Sequence, residues 1–229
     1  MTKSTKDDDW KISRTNMAKS TKYEDTIRPP LMFCPTEGLL PEALYQSMKQ
    51  IFAPNAPYWT ESDYMSRGYY SYFVEYEPKQ APRNLIEDVI INHLLPRAKQ
   101  VLTKEEGNSI CGFEWWTHTR PIQANLGHNL HFDTDEALLA QKKEITHPIL
   151  SSVLYLTGGS QTMETCSPGG ATIILDQIPE ALTEAEQAWQ GIPVNNALLL
   201  FPGNLLHGVL PCPGIPSSDD SVQKVNYNS

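Results

Sequence analysis

Residues 127–136 read G-H-N-L-H-F-D-T-D-E, and the rest of the chain makes most sense when worked outward from them. In an extended strand successive side chains point to opposite faces, so His131 and Asp133 project together while Phe132 points to the other side. An imidazole and a carboxylate on one face are two of the three donors of a 2-His-1-carboxylate metal site, and the third must come from far along the chain. His207, in F-P-G-N-L-L-H-G-V-L, is the candidate. Six His and 11 Asp in 229 residues would produce an H-x-D about 0.3 times by chance, so the weight rests on the context of the tripeptide.

That context is one domain with a core of its own. A chain of 229 residues and 25.8 kDa has room for a sizeable core but not for a second full domain. A net charge of −9 and a pI of about 5.1 would repel a phosphate backbone, and the basic residues form no cluster beyond pairs such as Lys142-Lys143, so nucleic acid is not expected as a partner. No run approaches the ~18 apolar residues that a membrane span needs. The four cysteines (Cys34, Cys111, Cys166 and Cys212) form no C-x-x-C pair, and the first residues lack the apolar stretch of a signal peptide. The expectation is a cytoplasmic protein with free thiols that acts on a small molecule and has no membrane partner.

Residues 1–28 are polar, charged with both signs and poor in branched aliphatics, the composition of a flexible tail, and residues 29–229 form the domain. From Gly38 the pattern turns helical, with Pro41 at the start and Leu44, Met48, Ile51 and Phe52 at helical spacing. Residues 69–76, Y-Y-S-Y-F-V-E-Y, read as an aromatic strand. A second amphipathic helix spans about 84–95, and Pro96 ends or kinks it. Beyond Gly107 strands dominate, at 110–120, 129–133, 149–156, 171–175, 197–201 and 205–210. Residues 136–144 suit a helical loop, and Thr183-Glu184-Ala185-Glu186 has the spacing of a capping box opening a short helix to Trp189. A helical part at about 38–105 followed by short strands at about 107–229 predicts an α+β domain whose strands close into a sandwich or barrel, with the helices packed on the sheet.

Five segments together resemble the Fe(II)- and 2-oxoglutarate-dependent oxygenases: W-W-T-H-T-R, L-H-F-D-T-D-E, H-P-I-L-S-S-V-L-Y-L, G-G-A-T-I-I-L-D and F-P-G-N-L-L-H-G-V-L, in that order, between residues 114 and 210. The 74 residues separating Asp133 from His207 also suit that family. The resemblance implies a double-stranded β-helix (a jelly-roll, cupin-like core), with His131, Asp133 and His207 as iron ligands. It implies Fe(II) as metal, 2-oxoglutarate and O2 as co-substrates, and hydroxylation of a small or medium organic substrate with release of succinate and CO2.

One departure is consequential. The family places an Arg or Lys after the last His to pair with the distal carboxylate of 2-oxoglutarate, whereas here the residues after His207 contain no Arg. Lys224 is the only basic residue there, and residues 225–229 are a stub where a closing strand would lie. Either Lys224 or a residue elsewhere such as Arg120 is the anchor, or the chain is a catalytically silent metal-binding relative. A cupin-like metal enzyme that does not use 2-oxoglutarate is the third reading.

Simpler readings accompany each residue. His131 and Asp133 could share a hydrogen bond without metal, His207 could be a hairpin histidine, and Asp135 shares the phase of the strand and could replace Asp133. His118 and His128 read as supporting or surface groups, and His93 and His147 as ordinary structural residues. Ser151, Ser152 and Tyr155 can donate to a bound carboxylate, although such residues are also common strand formers.

Overall fold

The computed structural model describes residues 27–63, 71–119, 127–158, 170–179 and 181–211, so the expected tail of residues 1–26 lies outside the described part. Residues 27 and 28, assigned to that tail, belong to the folded domain. Ile27 packs against the main core, and the Arg28 guanidinium grips the Glu106 carboxylate at 2.7 and 3.1 Å.

The chain opens with a short strand, β1 (Leu31–Phe33), then helices α1 (Glu42–Ile51) and α2 (Pro57–Glu61). Strand β2 (Tyr72–Glu75) follows, then α3 (Leu85–Asp88), which runs through a π-helical segment at Val89–Leu94 into α4 (Leu95–Val101). Helix α5 (Lys104–Ser109) and strands β3 (Gly112–Trp115) and β4 (His128–His131) come next, and then α6 (Glu136–Lys142). The last strands are β5 (Leu150–Tyr155), β6 (Thr172–Leu175), β7 (Ala188–Gly191), β8 (Ala197–Pro202) and β9 (His207–Val209).

The fold is therefore mixed, with helices and antiparallel sheets. One sheet has the order β1-β8-β5, another β4-β9-β6-β7, and β2 and β3 form a separate pair in which Tyr72 stacks on Trp115 at 4.5 Å. In the two larger sheets only β6 and β7 are both neighbours in space and consecutive in sequence. The main core is drawn from both of these sheets: Tyr155, Ala197, Leu199 and Phe201 from one, Ile174 and Trp189 from the other, with Leu205 beside them. Strand β8 is the deepest element. Ala197, Leu198, Leu199, Leu200 and Phe201 are all at most 2% exposed, as an unbroken apolar run demands of a strand covered on both faces.

The helices cover the outside of β5. Leu40, Tyr45, Met48 and Val89 form a second cluster against which Leu154 and Leu156 pack, and the Tyr45 hydroxyl donates to the Leu156 carbonyl at 2.8 Å. This bears out helices packed on a sheet, and it orients β5: Leu154 faces the helices, while Ser151 and Tyr155 lie on the buried side.

The expectation at Thr183 needs correction, and at Pro96 only one of the two expected outcomes is excluded. Pro96 does not end its helix. Lacking an N–H and pressing on the carbonyl one turn back, it is accommodated by a wider turn in which the Leu95 N–H reaches Ile90, and the helix then continues to Val101. The capping-box pattern at Thr183 opens no helix. Trp189 is only 4% exposed and sits opposite Ile174 in the β6–β7 ladder, so burial of a large ring in a strand overrides the local signal, and the Glu186 N–H is satisfied by the Asp176 side chain at 2.9 Å.

Candidate metal centre

The site is made where β4 and β9 meet. They pair antiparallel with His131 directly opposite His207 and His128 opposite Val209, so β4 spends one residue more than β9 between the two matched pairs. Such a bulge twists the strand and re-aims its side chains. Gly208 makes it fit, because a Cβ there would lie 2.7 Å from the His128 carbonyl oxygen. The result is two imidazoles side by side, with ring centroids 4.4 Å apart.

Asp133 lies just past the end of β4 and brings its Oδ1 to 3.5 Å from Nε2 of both His131 and His207. The donor atoms of the three residues all fall within 4.8 Å of one another, the group that sequence spacing picked out. Metal–ligand arms of about 2.1 Å set at right angles place neighbouring donors ~3 Å apart, so the cluster is close to the size a cation requires.

Protonation and orientation are set by the backbone. His131 Nδ1 lies 2.9 Å from the Asn129 carbonyl oxygen, and His207 Nδ1 lies 2.9 Å from that of Leu205. A carbonyl only accepts, so each Nδ1 carries the proton and each Nε2 presents its lone pair, or a second proton, to Asp133. The neutral cluster is thus three acceptors facing one another with no donor among them, an arrangement that calls for a proton or a metal cation at its centre. These residues fit a divalent metal, and two nitrogens with one carboxylate oxygen suit several first-row ions without selecting one.

The electrostatics agree. Burial, the largest influence on Asp133, pushes its carboxyl up, but hydrogen bonds from His131, His207 and Ser151 and the charge of His207 outweigh it and hold the group well below the usual carboxylate range. The Asp133 carboxylate in turn raises the His131 imidazole above its ordinary value, with burial opposing and the Asn129 carbonyl adding to the rise. Exposure is uneven: 34% of the His131 side chain is accessible against 11% for Asp133 and 8% for His207. Solvent therefore reaches the centre along His131, while the Phe201 ring, 4.8 Å from that of His207, closes the inner side.

The neighbouring candidates sort themselves by geometry. Asp135 is committed elsewhere: its side chain accepts from the Leu138 N–H at 2.8 Å and caps α6, so it does not replace Asp133. His128 stacks on His131 with centroids 4.6 Å apart, and His118 meets His128 edge-on at 5.4 Å; neither belongs to the three-residue cluster. His93 sits on the π-helical segment and is not part of the cluster. Arg120 and Lys224, the two candidates for anchoring a co-substrate carboxylate, lie outside the described residues.

Two residues have more to do than their sequence suggested. His147 donates from Nδ1 to the Asp133 carbonyl at 2.6 Å and so fixes the backbone beside the carboxylate. Its Nε2 is buried with no partner among the described residues. Ser151 Oγ donates to Asp133 Oδ2 at 2.5 Å. The sequence marks Ser151, with Ser152 and Tyr155, as able to donate to a bound carboxylate; the carboxylate it meets is that of Asp133. Comparison of the chain with protein-family models, with curated proteins and with solved structures gives no significant match.

Proposed function

We propose that the protein is a non-haem Fe(II) dioxygenase that uses 2-oxoglutarate and O2 to hydroxylate a small or medium-sized organic substrate, releasing succinate and CO2. The observation that carries this reading is the convergence of His131 Nε2, Asp133 Oδ1 and His207 Nε2 on one point, with both imidazoles locked in the same tautomer by backbone carbonyls. The strand orders favour the same reading. All pairings in β4-β9-β6-β7 and in β8-β5 are antiparallel, and nearly all are between strands distant in sequence, as a double-stranded β-helix or other jelly roll requires.

Bound iron would supply the redox chemistry that couples decarboxylation of 2-oxoglutarate by dioxygen to oxidation of a substrate carbon. The chain's own residues define where this takes place. Three protein donors on one side leave the other side of the ion to exogenous ligands. Asp133 contributes one negative charge, so a divalent ion keeps a net positive charge with which to hold an anionic 2-oxo acid. His207 and Phe201 keep water from the inner side, and the exposed edge of His131 marks the approach for co-substrate and substrate.

The test has two arms. Iron-loaded protein incubated with 2-oxoglutarate in air is expected to release succinate, and His131→Ala and Asp133→Ala are expected to abolish both that release and tight Fe(II) binding. Calorimetry on the anaerobic metal-loaded protein with N-oxalylglycine is expected to show binding that depends on metal. Metal bound without affinity for 2-oxoglutarate or this analogue would overturn the oxygenase reading and leave a metal-binding protein of another kind.

A further inference from the structure

The two oxygens of Asp133 are kept apart in their duties. Oδ1 faces both imidazole nitrogens at 3.5 Å, whereas Oδ2 accepts a 2.5 Å hydrogen bond from Ser151 Oγ. That length belongs to a charge-assisted O–H···O⁻ contact, roughly twice as strong as a neutral one. Ser151 is 7% exposed and stands on β5, in the other sheet from the histidines. Its place is fixed by the ladder that sets it opposite Phe201, the residue whose ring backs His207. With His147 holding the carbonyl of the same residue, Asp133 is gripped at both ends by groups that are not themselves metal ligands.

A carboxylate with two idle oxygens can chelate a cation through both, and one with a committed oxygen offers a single donor. We propose that Ser151 is a positioning residue that restricts Asp133 to one metal–oxygen contact and so keeps a third coordination position open for ligands from solution. This rests on the metal-binding reading given above. The consequence is specific: three open positions accommodate a chelating ligand that takes two and a further small molecule in the third, whereas a chelating Asp133 would leave room for only one of these.

Mn(II) provides the readout, since broadening of its electron paramagnetic resonance lines in 17O-enriched water counts the exchangeable waters on the ion. Ser151→Ala is expected to carry one water fewer than the wild type, and Ser151→Thr, which retains the hydroxyl, is expected to restore the count. Ser151→Cys, close to serine in volume and only a weak donor, should behave like Ser151→Ala and takes its place if that variant does not fold. An unchanged water count in the variants that lack the hydroxyl overturns the role of Ser151 while leaving the metal site standing. Failure of the wild type to take up Mn(II) would instead overturn the metal site itself, and this inference with it.

Discussion

Two buried polar clusters in this molecule are built on opposite principles. At the junction of helices and sheet, Asn196 bridges to Leu40: its amide donates to the Leu40 carbonyl at 2.8 Å, and its side-chain oxygen accepts from the Leu40 N–H at 2.9 Å. Each of these donors has met an acceptor, so the contact is complete within the chain. At the β4–β9 junction, His131, Asp133 and His207 point acceptors at one another. Such a cluster is finished only by something from solution. Burial alone does not distinguish the two, since Asn196 is 5% and His207 7% exposed. The balance of donors and acceptors does, and an unbalanced cluster is one that a proton or a metal cation can complete.

Asp133→Asn should separate the two kinds most sharply. The amide would keep the shape of the carboxylate and place an N–H where Oδ1 now faces the imidazoles, giving the cluster the donor it lacks. Metal binding should then fall by more than the 10- to 100-fold, roughly, that loss of an outer partner costs. Metal-free protein near pH 8 should lose little stability, because the amide N–H answers an imidazole acceptor while Ser151 still donates to the remaining oxygen. Metal titration and thermal unfolding of the chelator-treated protein read the two effects separately. A metal-free variant much less stable than the wild type would show that the acidic cluster is a structural ion pair.

Asn196→Ala should do the reverse. It leaves two main-chain groups of Leu40 without partners, and it puts a Cβ-bearing residue with no compensating side chain at φ 58°, where Asn is tolerated. Together these should cost roughly 2–5 kcal/mol of folding stability. Asn196→Gly, which loses the same hydrogen bonds without the strain, should cost less. Gly38, at φ 82°, lies against the same amide: a Cβ there would come within 2.2 Å of the Asn196 Nδ2. Denaturant unfolding measures the loss, and the affinity for Mn(II) should stay at the wild-type value.

The unequal legibility of these clusters has a physical basis. His131, Asp133 and His207 were visible because two-residue strand periodicity aligns the first two and a distant histidine in a strand setting completes the set. The clasp of Asn196 on Leu40 was not, since 156 residues separate the partners and no periodicity connects them. Ser151 and His147 reach Asp133 only through the meeting of separate segments, so their duties could not be read from their own surroundings. Strand β1 escaped because its three residues L-M-F are too few to show alternation. Strand β7 was misassigned because the T-x-x-E signal is local while the burial of Trp189 is tertiary.

The smallest effect, and the finest test of the contrast, is pH. The Asp133 carboxylate raises the His131 imidazole, so folding favours its protonated form. That contribution is fully present below the unfolded-state histidine value of about 6.5 and is lost as pH rises through the higher folded value. The Asp133 carboxyl, held low, contributes above its unfolded value of about 3.9 and is lost only as pH falls through the folded one. Metal-free stability from this pair is therefore greatest between about pH 4 and 6.5 and declines toward alkaline pH. A metal ion needs the same Nε2 lone pair that the proton occupies, so its affinity climbs over the range in which the proton leaves. The rise in melting temperature produced by a fixed excess of Mn(II) should consequently grow from about pH 6 to 8, while the Asn196→Ala variant, though less stable, should show the same growth. A metal-induced rise that is flat across this range would mean that no proton is displaced from His131 and that its Nε2 is not a ligand.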